Sequence, residues 1–119
     1  MFRIEVDRLP PTFNKIWEGI HWAKRKAMRA EWHGLFLAAF QDAKLPKPLP
    51  KREGVYRLHC TQFCKGNVRD SDNASIAVKL CKDSLTSYGY IEDDNWKTFN
   101  DDMTSTRKGK QNKTVIIIQ

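Results

Sequence analysis

All five prolines of this 119-residue chain fall in two short segments, Pro10-Pro11 and Leu45-Pro46-Lys47-Pro48-Leu49-Pro50. No helix or strand can run through either one, so they divide the chain into three stretches whose patterns can be read separately. In the first, Phe2, Ile4 and Val6 alternate with Arg3, Glu5 and Asp7, the period of a half-buried strand. In the second, residues 14–21 carry no clear period. From Trp22 to Ala43, Trp32, Leu35, Phe36, Ala39, Phe40 and Ala43 recur at helical spacing, and the proline run then ends the helix as a stiff connector.

The third stretch opens with a strand over Val55–Cys64, with Tyr56, Leu58, Cys60 and Cys64 on one face. Lys65-Gly66-Asn67 is turn chemistry. A second helix is predicted from Asn73 to Tyr88, with Asp72 or Asn73 as its N-cap. Its buried stripe is Ile76, Leu80, Cys81, Leu85 and Tyr88, and Gly89 is placed to end it. Trp96–Thr106 and Lys113–Ile118 read as strands around a basic turn, Arg107-Lys108-Gly109-Lys110. The order strand, helix, strand, helix, strand, strand predicts an α/β fold. It is a small two-layer domain over residues 1–119, with a mixed β-sheet of about four strands and two main helices.

Hydrophobic residues at 40% and charged residues at 29% are ordinary for a packed domain and exclude a disordered chain. No apolar run, Val115–Ile118 included, is long enough to span a bilayer, and the N-terminus lacks a signal-peptide core. The expected compartment is the cytoplasm, with no membrane partner. Three cysteines fit reduced thiols there. Cys60 and Cys64 would lie about 13 Å apart on one strand face, too far to pair, and read as small buried apolar residues. His21, His33 and His59 share no metal-ligand spacing with a cysteine.

Against a net charge of +7, four acidic residues stand in two tight groups, Asp70 and Asp72, then Asp93 and Asp94. Two carboxylates about 4 Å apart repel by roughly 4 kcal/mol at an effective dielectric near 20, so such a group calls for a cation, a proton or a basic partner. Asp70 and Asp72 on an extended segment would point the same way and can share one hard cation, Mg²⁺ or Mn²⁺. An N-cap with a solvated aspartate explains them without a metal. An EF-hand loop is excluded, because its sixth position is Ser75 and its twelfth is Cys81. Lys79 stands four residues before Asp83. Spacing alone suits a surface ion pair, and the alternative role is a cation facing a phosphate.

The basic residues suggest a polyanionic partner. Lys24, Arg25, Lys26 and Arg29 interleave with Trp17, His21, Trp22 and Trp32, as on surfaces that follow phosphates and stack on bases. A solvated helix face has the same composition. Arg107, Lys108, Lys110 and Lys113 are expected at a hairpin tip, and Arg69 adjoins the first acidic group.

Taken together, Arg69-Asp70-Ser71-Asp72-Asn73, Lys79, Asp83-Ser84-Leu85, Gly89-Tyr90-Ile91 and Glu92-Asp93-Asp94 resemble the RusA family of Holliday-junction resolvases. Leu9-Pro10-Pro11-Thr12-Phe13-Asn14 is similar to that family's opening. The resemblance implies a homodimeric, Mg²⁺-dependent endodeoxyribonuclease, a crossover-junction enzyme of DNA recombination and repair. It would bind branched DNA and nick four-way junctions symmetrically, with Mn²⁺ as a substitute ion. It also implies metal binding by Asp70, Asp72 and Asp94, with Asp93 adjacent, and a catalytic Lys79. The family lysine follows the second aspartate by four residues, where this chain has Ile76; Lys79 follows by seven. That places it about 60° round the helix and about 4.5 Å further along. Two other readings stay open, a branched-DNA-binding protein without activity and a broader flap or fork nuclease. The small size suits a phage or prophage.

Overall fold

A computed structural model describes residues 1–12, 22–50, 54–92, 98–99 and 101–119. The first strand, β1 (Phe2–Val6), buries Ile4 and Val6 and leaves Arg3 and Glu5 outside, as its alternation predicts. Helix α1 (Trp22–Asp42) buries Trp32, Phe36, Ala39 and Phe40, with Leu35 and Ala43 half-buried beside them. Phe36 and Phe40, both fully buried, each contribute roughly 1.5–3 kcal/mol of apolar burial. Residues from Trp22 to Glu31 are exposed or half-buried, with Met28 packed against the edge of the core.

The proline run is more than a connector. Leu45 and Leu49 are buried in the core, and the Leu49 amide donates to the Tyr90 carbonyl at 2.8 Å. Strand β2 (Leu58–Cys64) is shorter than its apolar pattern, because Tyr56 makes only an isolated parallel bridge with Phe99. A 3₁₀ turn (Ser71–Asn73) leads into helix α2 (Ala74–Ser87). Gly89, at φ +80°, ends that helix with the Gly89 amide on the Thr86 carbonyl and the Tyr90 amide on the Leu85 carbonyl. The buried face of α2 is Ala74, Ala77, Val78, Leu80, Cys81, Ser84 and Leu85. Ile76 and Tyr88, expected in that stripe, are half-buried at its edges.

Strands β3 (Met103–Lys108) and β4 (Lys113–Ile118) complete a mixed four-stranded sheet in the order β1-β4-β2-β3. β4 pairs antiparallel with both β1 and β2, and β3 pairs parallel with β2. The strand expected from Trp96 begins only at Met103, and residues 93–97 lie outside the described set. β3 and β4 are not a hairpin, because β2 runs between them. The basic segment therefore crosses the end of β2. There the Gly109 amide donates to the Cys64 carbonyl at 3.0 Å, and the Asn112 side chain accepts from the Lys65 amide at 2.9 Å. A Cβ at Gly109 would stand 2.8 Å from the Phe63 Cβ, which explains the glycine.

Both helices share one core with the inner sheet residues Ile4, Leu58, Cys60, Ile116 and Ile118, giving a two-layer α/β domain. Cys60, Cys64 and Cys81 are buried free thiols. Among the described residues, no helix is long and apolar enough to cross a membrane.

Candidate metal and nucleic-acid site

The chain leaves β2 through Lys65–Asn67 and reaches the acidic segment with its backbone tethered on both sides. Thr106 Oγ1 donates to the Arg69 carbonyl at 2.6 Å, and the Arg69 guanidinium donates to the Pro10 carbonyl at 2.5 Å. Asp70 is extended at φ −63° and ψ 145°, and its carbonyl accepts from the Asn73 amide at 3.0 Å. Asp72 lies inside the 3₁₀ turn. The expectation of two carboxylates alternating along one extended segment is therefore corrected, since the chain turns between them. Asn73 takes the expected N-cap position at the head of α2, but with helical backbone angles and no side-chain cap bond, while Ser75 Oγ donates to the Asp72 carbonyl at 2.6 Å.

The turn still brings the two acids together. Asp70 and Asp72 line one cleft of about 700 Å³ with Thr12, Asn67, Val68, Arg69, Asn73, Ser75 and Thr104. Both aspartates are exposed. The described lining offers hard oxygen donors from carboxylates, hydroxyls and amides, with no thiol or imidazole. That donor set fits Mg²⁺ or Mn²⁺ better than zinc. Among the described residues no three His, Cys, Asp or Glu side chains group closely enough to hold a metal alone.

Asp93 and Asp94 lie outside the described residues. Glu92 follows the far end of α2, and a 14-residue helix is about 21 Å long. It is β3 that returns the chain to the cleft, and its contribution is Thr104. Thr104 carries no sequence signal of its own, because it reaches the cleft only through strand pairing, whereas Thr12 belongs to the Leu9–Asn14 opening that the sequence marked.

Lys79 sits on α2 one turn beyond the cleft residue Ser75, on the same helix face. Its ammonium pairs with Asp83 at 2.9 Å, with 69% of the lysine side chain exposed. Ile76, at the resembling family's usual lysine position, packs half-buried against the core. Asp83 also faces His33 of α1, whose imidazole is held below its usual value by burial, with Asp83 opposing that shift and Arg29 adding to it.

The basic candidates separate into two groups. Lys24, Lys26 and Arg29 are exposed on α1, and Arg25 is half-buried. Their helix flanks the cleft, because Met28, Glu31 and Trp32 line a side pocket of about 290 Å³ that shares Thr12 and Arg69 with it. Arg107 and Lys110 are exposed as well. Lys108 and Lys113 are engaged at home. Lys108 Nζ donates to the Lys65 and Gly66 carbonyls, both at 2.7 Å, and Lys113 Nζ lies 3.7 Å from both Glu5 and Asp7. The hairpin tip expected from the charge pattern is thus a crossover, in which two of the four basic residues are engaged, Lys108 by the loop carbonyls and Lys113 by Glu5 and Asp7.

No family model matches the chain, and no curated protein matches it.

Proposed function

We propose that this protein is a Mg²⁺-dependent endodeoxyribonuclease that acts on branched DNA, with the four-way junction as its preferred substrate. The observation that carries the reading is the cleft itself. Two exposed aspartates and Arg69 share it, on a chain with net charge +7. Carboxylates in a basic protein that must approach a polyanion have a use when a divalent cation bridges them to phosphate. The order of acidic, basic and glycine residues that resembles the RusA resolvases narrows the reaction to junction cleavage.

Asp70 and Asp72 would hold the cation, with Asp94 added by the resemblance. A bound Mg²⁺ supplies Lewis-acid charge at the phosphate and makes water a better nucleophile at neutral pH. Arg69 neutralises the phosphate backbone beside the cleft. Lys79, released from Asp83, offsets charge that grows on the phosphoryl oxygens. The exposed bases of α1, with Arg107 and Lys110, follow the flanking duplex without reading its sequence. Two symmetric cuts need two active sites, which a homodimer provides.

The pairing of Lys79 with Asp83 favours a second reading, a junction-binding protein without nicking activity. A labelled synthetic four-way junction and a matched duplex, each with Mg²⁺ and with EDTA, separate the two. Mg²⁺-dependent paired nicks on the junction alone are expected. Binding without cutting in any divalent ion would move the assignment to the second reading, and equal cutting of flaps and forks would broaden the nuclease.

A further inference from the structure

Gln62 is fully buried in the middle of β2, on the sheet face that otherwise carries Leu58, Cys60 and Cys64. In the sheet register it stands between Thr114 of β4 and Thr106 of β3. The three form a polar row across an apolar face, and each donates to a backbone carbonyl of a cleft-bearing segment. Thr114 Oγ1 reaches the Arg8 carbonyl at 2.8 Å, at the start of the segment that ends in Thr12. Thr106 Oγ1 reaches the Arg69 carbonyl at 2.6 Å. Gln62 Nε2 reaches the Asn73 carbonyl at 3.5 Å, long for such a bond.

The row thus grips the acidic turn at both ends, before Asp70 and after Asp72. Gln62 Oε1 is buried and has no partner among the described residues. A half-satisfied buried amide is unfavourable compared with a leucine or methionine that would continue the apolar stripe. Its presence is accounted for if the amide has a task at the turn.

We propose that Gln62, with Thr106 beside it, is a positioning residue that sets Asp70 and Asp72 for cation binding. This inference rests on the cation reading of the cleft. Groups that orient metal ligands from behind typically change affinity by about 10–100-fold when removed. Gln62→Met keeps the length and apolar bulk of the side chain but removes the amide.

The test is an Mn²⁺ titration of the full chain, free ion being read by electron paramagnetic resonance, alongside thermal melts. Gln62→Met is expected to weaken Mn²⁺ binding by about tenfold or more while its melting temperature holds or rises. Thr106→Val should weaken binding in the same direction, and it carries the test if the Gln62 variant does not fold. Wild-type affinity in the folded variants overturns the positioning role and leaves the cation reading intact. A wild-type chain that binds no Mn²⁺, or an Asp72→Asn chain that binds it equally well, overturns the cation reading and this inference with it.

Discussion

Removing Lys79 separates a surface ion pair from a catalytic cation, because the two roles predict effects of different size on different quantities. The pair with Asp83 is an i,i+4 contact with the lysine 69% exposed. Such pairs are worth about 0.3–0.5 kcal/mol, and alanine regains part of that through helix propensity. Unfolding entropy near 2.1 cal/mol/K per residue gives roughly 250 cal/mol/K for 119 residues, so even 0.5 kcal/mol moves the melting temperature by only about 2 °C. Loss of a group that stabilises developing charge costs about 10²–10³ in rate. Lys79→Ala should therefore melt within about 2 °C of wild type and nick a four-way junction at least about 100-fold more slowly. Single-turnover nicking at saturating Mg²⁺ and a circular-dichroism melt give both numbers. Asp83→Asn, which removes the competing carboxylate, should keep nicking within about tenfold of wild type. A Lys79→Ala protein that nicks within about threefold of wild type would refute the catalytic assignment, since one lost charge contact of this kind costs far more.

Three further outcomes follow from the fold. Burial pushes the Cys60 thiol up to about 12 and raises Cys81 in the same direction, while an unfolded thiol titrates near 9. The folded state keeps protons that the unfolded state releases, so stability is complete below pH 9 and falls as pH rises from 9 toward 12. Urea midpoints at pH 8, 9 and 10 should therefore fall less in a Cys60→Ala/Cys81→Ala chain than in the wild type. Gly109→Ala forces a Cβ to 2.8 Å from the Phe63 Cβ and should lower stability by about 1–3 kcal/mol; a neutral urea midpoint would contradict the crossover at the end of β2. Arg107→Ala and Lys110→Ala should each reduce the salt slope of junction binding by about one. Lys113→Ala, whose ammonium lies 3.7 Å from Glu5 and Asp7, should leave that slope unchanged.

What the sequence conveyed depends on whether the physics was local. The alternation of Phe2, Ile4 and Val6, the α1 stripe from Trp32 to Phe40 and the glycine stop at Gly89 all reappear, because neighbours in sequence decide them. The partner of β4 was not legible. A basic turn between two strand patterns reads as a hairpin, but Val115, Ile116 and Ile118 are buried, as suits a strand flanked on both sides. β4 therefore runs between β1 and β2, and β3 takes the far edge of β2. The fate of the lysines follows from that crossover. Lys108 and Lys113, indistinguishable by composition from Arg107 and Lys110, are engaged by the fold, Lys108 on the Lys65 and Gly66 carbonyls and Lys113 beside Glu5 and Asp7.

In the cleft, Asp70 and Asp72 were legible as an acidic pair, though for a reason that the 3₁₀ turn replaces. Thr104 was not, since a chain segment distant in sequence brings it there, and Thr12 was marked only as part of the Leu9–Asn14 opening. Gln62 stood unmarked in an apolar strand pattern. Only the register with Thr106 and Thr114 gives it meaning.

The most direct test of the acidic cleft is the Asp72→Asn protein on a labelled four-way junction, with binding and nicking measured on the same samples in Mg²⁺. A lost metal ligand should abolish nicking while junction affinity stays within about threefold of wild type, because the basic surface is unchanged. Nicking at the wild-type rate would contradict the assignment of the cleft as the metal site.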